Sequence, residues 1–176
     1  MDSTLTSDRV VIRGAIEAMA PEFVTLVGEI GDEGWKTKSG IPSYTCGQLA
    51  WHLASGTSFL AGEIAKAKDG KALNPPAFLR PILYKMGEWR VRVASRKATP
   101  ASVLADFDAA VRRLLAVLES FDDETLRLSA TRMGETLTIA ALFQKPVEHL
   151  AEHAGHIRAG LPDVAVFLDN APAGLR

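Results

Sequence analysis

The chain has 176 residues, 47% hydrophobic, 23% charged and 7% aromatic, which suits one folded domain and excludes disorder for its bulk. Twenty Lys+Arg against 21 Asp+Glu leave a net charge of −1, which argues against a general nucleic-acid binder. Cys46 is the single cysteine, so an internal disulfide framework, CxxC redox chemistry and a cysteine-based zinc module are excluded.

The first ten residues, MDSTLTSDRV, are polar and acidic and carry no apolar stretch of the secretory kind. No 18-residue uncharged apolar run is present, so no spanning helix is expected. The expectation is a cytoplasmic protein without a membrane partner. It would be one domain over 1–176 that ends in a short tail, 163–176.

Helical periodicity dominates. Ile12, Ile16, Met19, Phe23, Leu26 and Ile30 recur at spacings of 4 and 3, an amphipathic helix with one apolar stripe. Ser7 or Asp8 is placed to cap its start, Pro21 is expected to kink or split it, and Gly31 and Gly34 mark its end. After a loop, Thr45-x-x-Gln48 is a capping-box signature. It predicts a second helix from about Cys46 to about Lys68, with Leu49, Leu53, Gly56, Leu60 and Ile64 inward.

Residues 75–98 read as a long crossover. Three prolines, Pro75, Pro76 and Pro81, break its start, and Leu83, Met86, Trp89 and Val93 fit a short helix. One face is expected to pack and the other to present basic residues, among them Arg90, Arg92, Arg96 and Lys97. That cluster suits the carboxylate of an anionic substrate, or is a solvated face. Thr99-Pro100 then opens a third long helix with Val103, Phe107, Val111, Leu114 and Leu118 in its stripe. FDDETL is a turn with a short helical piece. The chain restarts at Thr136 or Thr138, and a last helix runs through VEHLAEHAGHIRAG to a stop at Gly160 and Pro162. Strand-like alternation is scarce, so no sheet is expected. The fold class is all-α, a four-helix bundle with one long crossover.

The histidines carry the chemistry. Three of the four, His149, His153 and His156, fall in one eight-residue window. On a helix they span about 60° of arc. The fourth, His52, sits among the inward positions of the second helix. Imidazoles at i and i+4 can share one metal ion, and a buried His52 needs a partner for its ring nitrogens. A divalent transition metal, zinc or nickel, held between His52 and the last helix satisfies that need and leaves coordination positions open for a small-molecule substrate. The plainer readings are a satisfied core histidine and a solvated stripe. Glu63, on the His52 face, is a candidate to orient a ligand, and Ala54, Ser55 and Gly56 leave room beside His52 or allow close helix packing. Cys46 at a helix start is a small filler or a thiol of lowered pKa. No GxGxxG, Walker A, GxSxG or HExxH motif is present.

Two blocks resemble the DinB-like superfamily, which includes the mycothiol-dependent maleylpyruvate isomerases. The first is Trp35 followed by Pro42-Ser-Tyr-Thr-Cys-Gly-Gln-Leu-Ala-Trp-His52-Leu, and the second is Val147-Glu-His149-Leu-Ala-Glu-His153-Ala-Gly-His156-Ile157. The resemblance covers about residues 8–162. It implies a divalent ion, a low-molecular-weight thiol as partner in S-transfer or isomerisation, and often a homodimer; metal-assisted hydrolysis of a small molecule is the sister reaction, and a non-catalytic binding or dimerisation module with a decayed metal site is the alternative. His52 matches the first ligand of the family. The last-helix pair fits in three frames: His153 with Ile157 in the partner's place, Glu152 with His156, or His149 with His153.

Overall fold

The computed structural model describes residues 3–162, and the tail expected at 163–176 lies outside them. Four long helices carry the chain: α1 (Ser3–Gly34), α2 (Cys46–Ala67), α4 (Pro100–Glu119) and α7 (Gln144–Gly160). Between them lie the shorter helices α3 (Arg80–Ala94), α5 (Asp123–Arg127) and α6 (Ile139–Leu142), and the strands β1 (Ser129–Arg132) and β2 (Glu135–Thr138). Among the described residues no helix is long and apolar enough to cross a membrane.

Helices α2 and α4 start where the caps predict. The Thr45 hydroxyl accepts from Gln48 N–H at 3.2 Å while the Gln48 side chain accepts from Thr45 N–H at 2.9 Å. Thr99 and Ser102 make the same reciprocal pair ahead of α4. In contrast, α1 begins at Ser3, upstream of Ser7 and Asp8. Pro21 does not split it: proline's fixed φ is already helical, and this one faces solvent. The break comes at Gly31, with φ 56°.

The core is the sum of the predicted stripes. Helix α2 packs on α4 and α7, and α1 packs on the same two. Phe23 of α1 stacks on Phe107 of α4 with ring centroids 3.9 Å apart. Leu26, Leu49, Leu53, Leu114 and Ile157 are fully buried between the helices.

Two expectations need correction. A sheet does form, a two-stranded antiparallel hairpin with Arg132 opposite Glu135. Its turn is Met133-Gly134, with φ 51° and 85°, so both central residues are left-handed as a two-residue hairpin requires. Each strand is four residues long, too short for alternation to show in the sequence. The crossover also differs. Helix α3 exposes an apolar face as well as a basic one: only Val91 is buried, while Met86 and Trp89 are 59% and 66% exposed.

Candidate metal centre

The loop from Trp35 to Thr45 sets the height of α2 along α7. Gly40 N–H donates to the carbonyl of His156 at 2.7 Å, and Gly160 lies so close under Lys38 and Ser39 that any side chain there would collide with the loop. The Trp35 ring covers Gly47, where a β-carbon would stand 2.5 Å from the indole. With the ends fixed this way the helices run antiparallel. Cys46 lies opposite Ile157, and Gly56 lies opposite His149.

That register brings three histidines together. The ligand nitrogens of His52, His149 and His153 all lie within 4.8 Å of one another. His52 Nε2 and His149 Nε2 are 3.1 Å apart. Nitrogens bound to one tetrahedral cation at about 2.0–2.1 Å are separated by about 3.3 Å, so this pair already stands at ligand spacing. His149 Nδ1 is buried with no hydrogen-bond partner among the described residues. The donor set is three imidazoles from two helices, and it can hold a transition-metal ion.

The electrostatics suit the same use. Burial pushes the His52 imidazolium down to about 4, helped by His153. Burial pushes His149 down to about 3, helped by His52, His153 and Arg132. His153 is lowered by burial and by His156, against the opposing pull of Glu152. Neutral imidazole is the form that binds metal, so at neutral pH these rings present free lone pairs.

The three frames separate in space. His149 and His153, one turn apart, join His52. His156 stands beside the cluster, its Nδ1 3.2 Å from His153 Nδ1. Glu152 is exposed, and Ile157 is a fully buried core residue. Glu63 does not serve the histidines: its buried carboxylate accepts from Leu73 N–H at 2.6 Å and pairs with Lys66 at 3.4 Å. Gly56 provides close packing rather than spare room, because a β-carbon there would meet His149 Cε1 at 3.0 Å. Cys46 is fully buried and burial raises its thiol pKa, so it is a filler. Of the basic cluster, Arg90 lies over the Trp51 ring, while Arg92, Arg96 and Lys97 are exposed.

A cavity of about 710 Å³ opens beside His52, between α2, α3 and the hairpin turn. Arg132 of β1 lines it, a residue to which nothing in the linear pattern points. The hairpin reaches this place through a relay of hydrogen bonds. Glu63 holds Leu73 N–H, the Leu73 carbonyl accepts from Met133 N–H at 2.9 Å, and Asn74 accepts from Gly134 N–H at 2.9 Å.

Comparison with curated proteins and with solved structures returns no match. Residues 16–163 match the family model of the mycothiol maleylpyruvate isomerase N-terminal domain, and the chain belongs to that family, within the DinB-like superfamily.

Proposed function

We propose that His52, His149 and His153 hold one divalent transition metal, zinc or nickel, inside a DinB-like four-helix bundle of α1, α2, α4 and α7, and that the protein is a metal-dependent enzyme acting on a small molecule. The observation that carries this reading is the convergence of three imidazoles from two helices within 4.8 Å of one another, with His52 and His149 already at ligand spacing. The family description names a mycothiol maleylpyruvate isomerase, which favours S-transfer or isomerisation with a low-molecular-weight thiol over hydrolysis.

A cation held by His52, His149 and His153 would supply Lewis acidity that favours the thiolate form of a thiol at neutral pH. The chain's own residues do the rest. His52, His149 and His153 resist protonation and each keep a ring nitrogen within 4.8 Å of the other two. Gly56 lets the His149 ring approach α2 closely. The cavity beside His52 gives a substrate access to one side of the cluster, and Arg132 adds a positive charge there.

A second reading, a non-catalytic helical module whose site has decayed, draws on one observation. A 3.1 Å separation of two Nε2 atoms is also the length of a hydrogen bond between neutral imidazoles. Cobalt substitution separates the two. Under the enzyme reading, Co(II)-loaded protein gives a sulfur-to-metal charge-transfer band on addition of a small thiol. A protein that takes up no cobalt belongs to the second reading, while a cobalt-loaded protein whose spectrum ignores the thiol keeps its metal site and removes the thiol-transfer reading.

A further inference from the structure

We propose that the cavity beside His52 is a binding site for a small amphiphilic acid, an aromatic or otherwise apolar body bearing a carboxylate, with Arg132 and Arg90 reading the charge and the α2–α3 wall holding the body. This takes the histidine cluster as the reacting centre, as proposed above, but recognition itself needs only the arginines and the wall.

The wall is apolar and open. Trp51 and Phe59 come from α2, and Met86 and Trp89 come from α3. Phe59, Met86 and Trp89 are 43%, 59% and 66% exposed, so large apolar side chains gather around one concavity instead of scattering over the surface. The volume, about 710 Å³, is in the range of sites that enclose a small organic ligand.

The charge is equally specific. Arg132 is half-buried, and its Nε is fully buried with no hydrogen-bond partner among the described residues. Arg132 also lines the open cavity, and a carboxylate is the acceptor that a guanidinium pairs with best. Neither Arg132 nor Arg90 forms an ion pair among the described residues. Arg90 lies over the face of Trp51, 6.0 Å from the ring centroid, where it faces the same cavity. The carboxylate at the rim, Glu135, pairs with Lys145 at 3.5 Å and so does not satisfy either arginine. A small acid without an apolar body leaves the wall bare, and a neutral apolar molecule leaves Arg132 unpaired. A ligand with both parts satisfies both.

The test is calorimetric titration of the full chain, zinc-loaded and zinc-stripped, with 2-naphthoate, its uncharged analogue 2-naphthalenemethanol, and acetate. Naphthoate is expected to bind both forms, the alcohol at least tenfold more weakly, and acetate not measurably at the same concentrations. Arg132→Met lowers naphthoate affinity at least tenfold and leaves the alcohol unchanged. Gly87 lines the cavity with nothing within 4 Å of where its β-carbon would stand, so the first atom of a side chain meets no clash there and Gly87→Trp sets an indole at the cavity. That variant loses both ligands and keeps its zinc uptake. Equal affinity for acid and alcohol, or naphthoate binding indifferent to both substitutions, overturns the proposal. Naphthoate binding that appears only with zinc and ignores Arg132 also overturns it, while the metal reading stands. Arginine-dependent binding by a protein that takes up no zinc supports the proposal and removes the metal reading.

Discussion

His52 and His149 are 97 positions apart in the chain, yet their Nε2 atoms stand 3.1 Å from each other across the α2–α7 interface. Neither ring has a carboxylate partner among the described hydrogen bonds. Two half-buried neutral imidazoles facing each other through their Nε2 atoms can share one proton between them or one cation, and the third imidazole, His153, favours the cation.

Gly56 makes this approach possible, so it offers a sensitive substitution. In Gly56→Ala the new methyl sits 3.0 Å from His149 Cε1 and pushes the ring off its line to His52. Alanine also favours the helix by up to about 1 kcal/mol over glycine. The expected outcome is a melting temperature close to that of the parent with metal affinity reduced about tenfold, equivalent to about 1.4 kcal/mol. Competition titration with a zinc indicator, alongside thermal denaturation, checks this. Unchanged affinity would place the ring elsewhere.

Acid should destabilise the metal-free protein through the same rings. An unfolded histidine titrates near 6.5, whereas His52 and His149 resist protonation in the fold down to about 4 and about 3. Between those values the unfolded chain binds protons that the folded chain refuses. Their contribution is therefore complete above about pH 6.5 and is lost as the pH falls towards 4, at up to about 1.4 kcal/mol per pH unit for each ring. Urea denaturation of the chelated protein at a series of pH values gives the slope. His149→Phe flattens it; an equally steep profile in that variant would assign the proton uptake to other groups.

Glu63 is predicted to support the cavity and not the metal. Its carboxylate holds Leu73, which in turn holds the hairpin turn beside Arg132. Glu63→Ala removes the charged acceptor of the Leu73 N–H, at a cost of about 1.5–3 kcal/mol. Thermal denaturation should register the loss while zinc affinity stays within about twofold of the parent value. A large fall in zinc affinity without a fall in stability would return Glu63 to the role of ligand support.

The helices were legible because their apolar residues recur at spacings of 3 and 4 and because Thr45 and Thr99 cap their starts. The hairpin was not, since Met133-Gly134 lacks the usual asparagine or aspartate signal and its strands are four residues long. The face of α7 that carries the histidines was also legible, for helical geometry alone puts His149, His153 and His156 on it. Which of them meets His52 was not. That depends on how far α2 is shifted along α7, and the shift is set by Gly40 bonding to His156 and by the loop crossing Gly160. Neither contact leaves a periodic trace. Arg132 escaped notice for the same reason, because only the hairpin brings it to the cavity.

Metal analysis tests the central claim most directly. Untagged protein, stripped with chelator and then dialysed against a slight excess of zinc, is predicted to retain about one zinc per chain. His52→Ala and His153→Ala, each folded by circular dichroism, are predicted to retain almost none. A parent protein that holds no zinc or nickel after this treatment, or a His52→Ala variant that holds as much as the parent, would contradict the account.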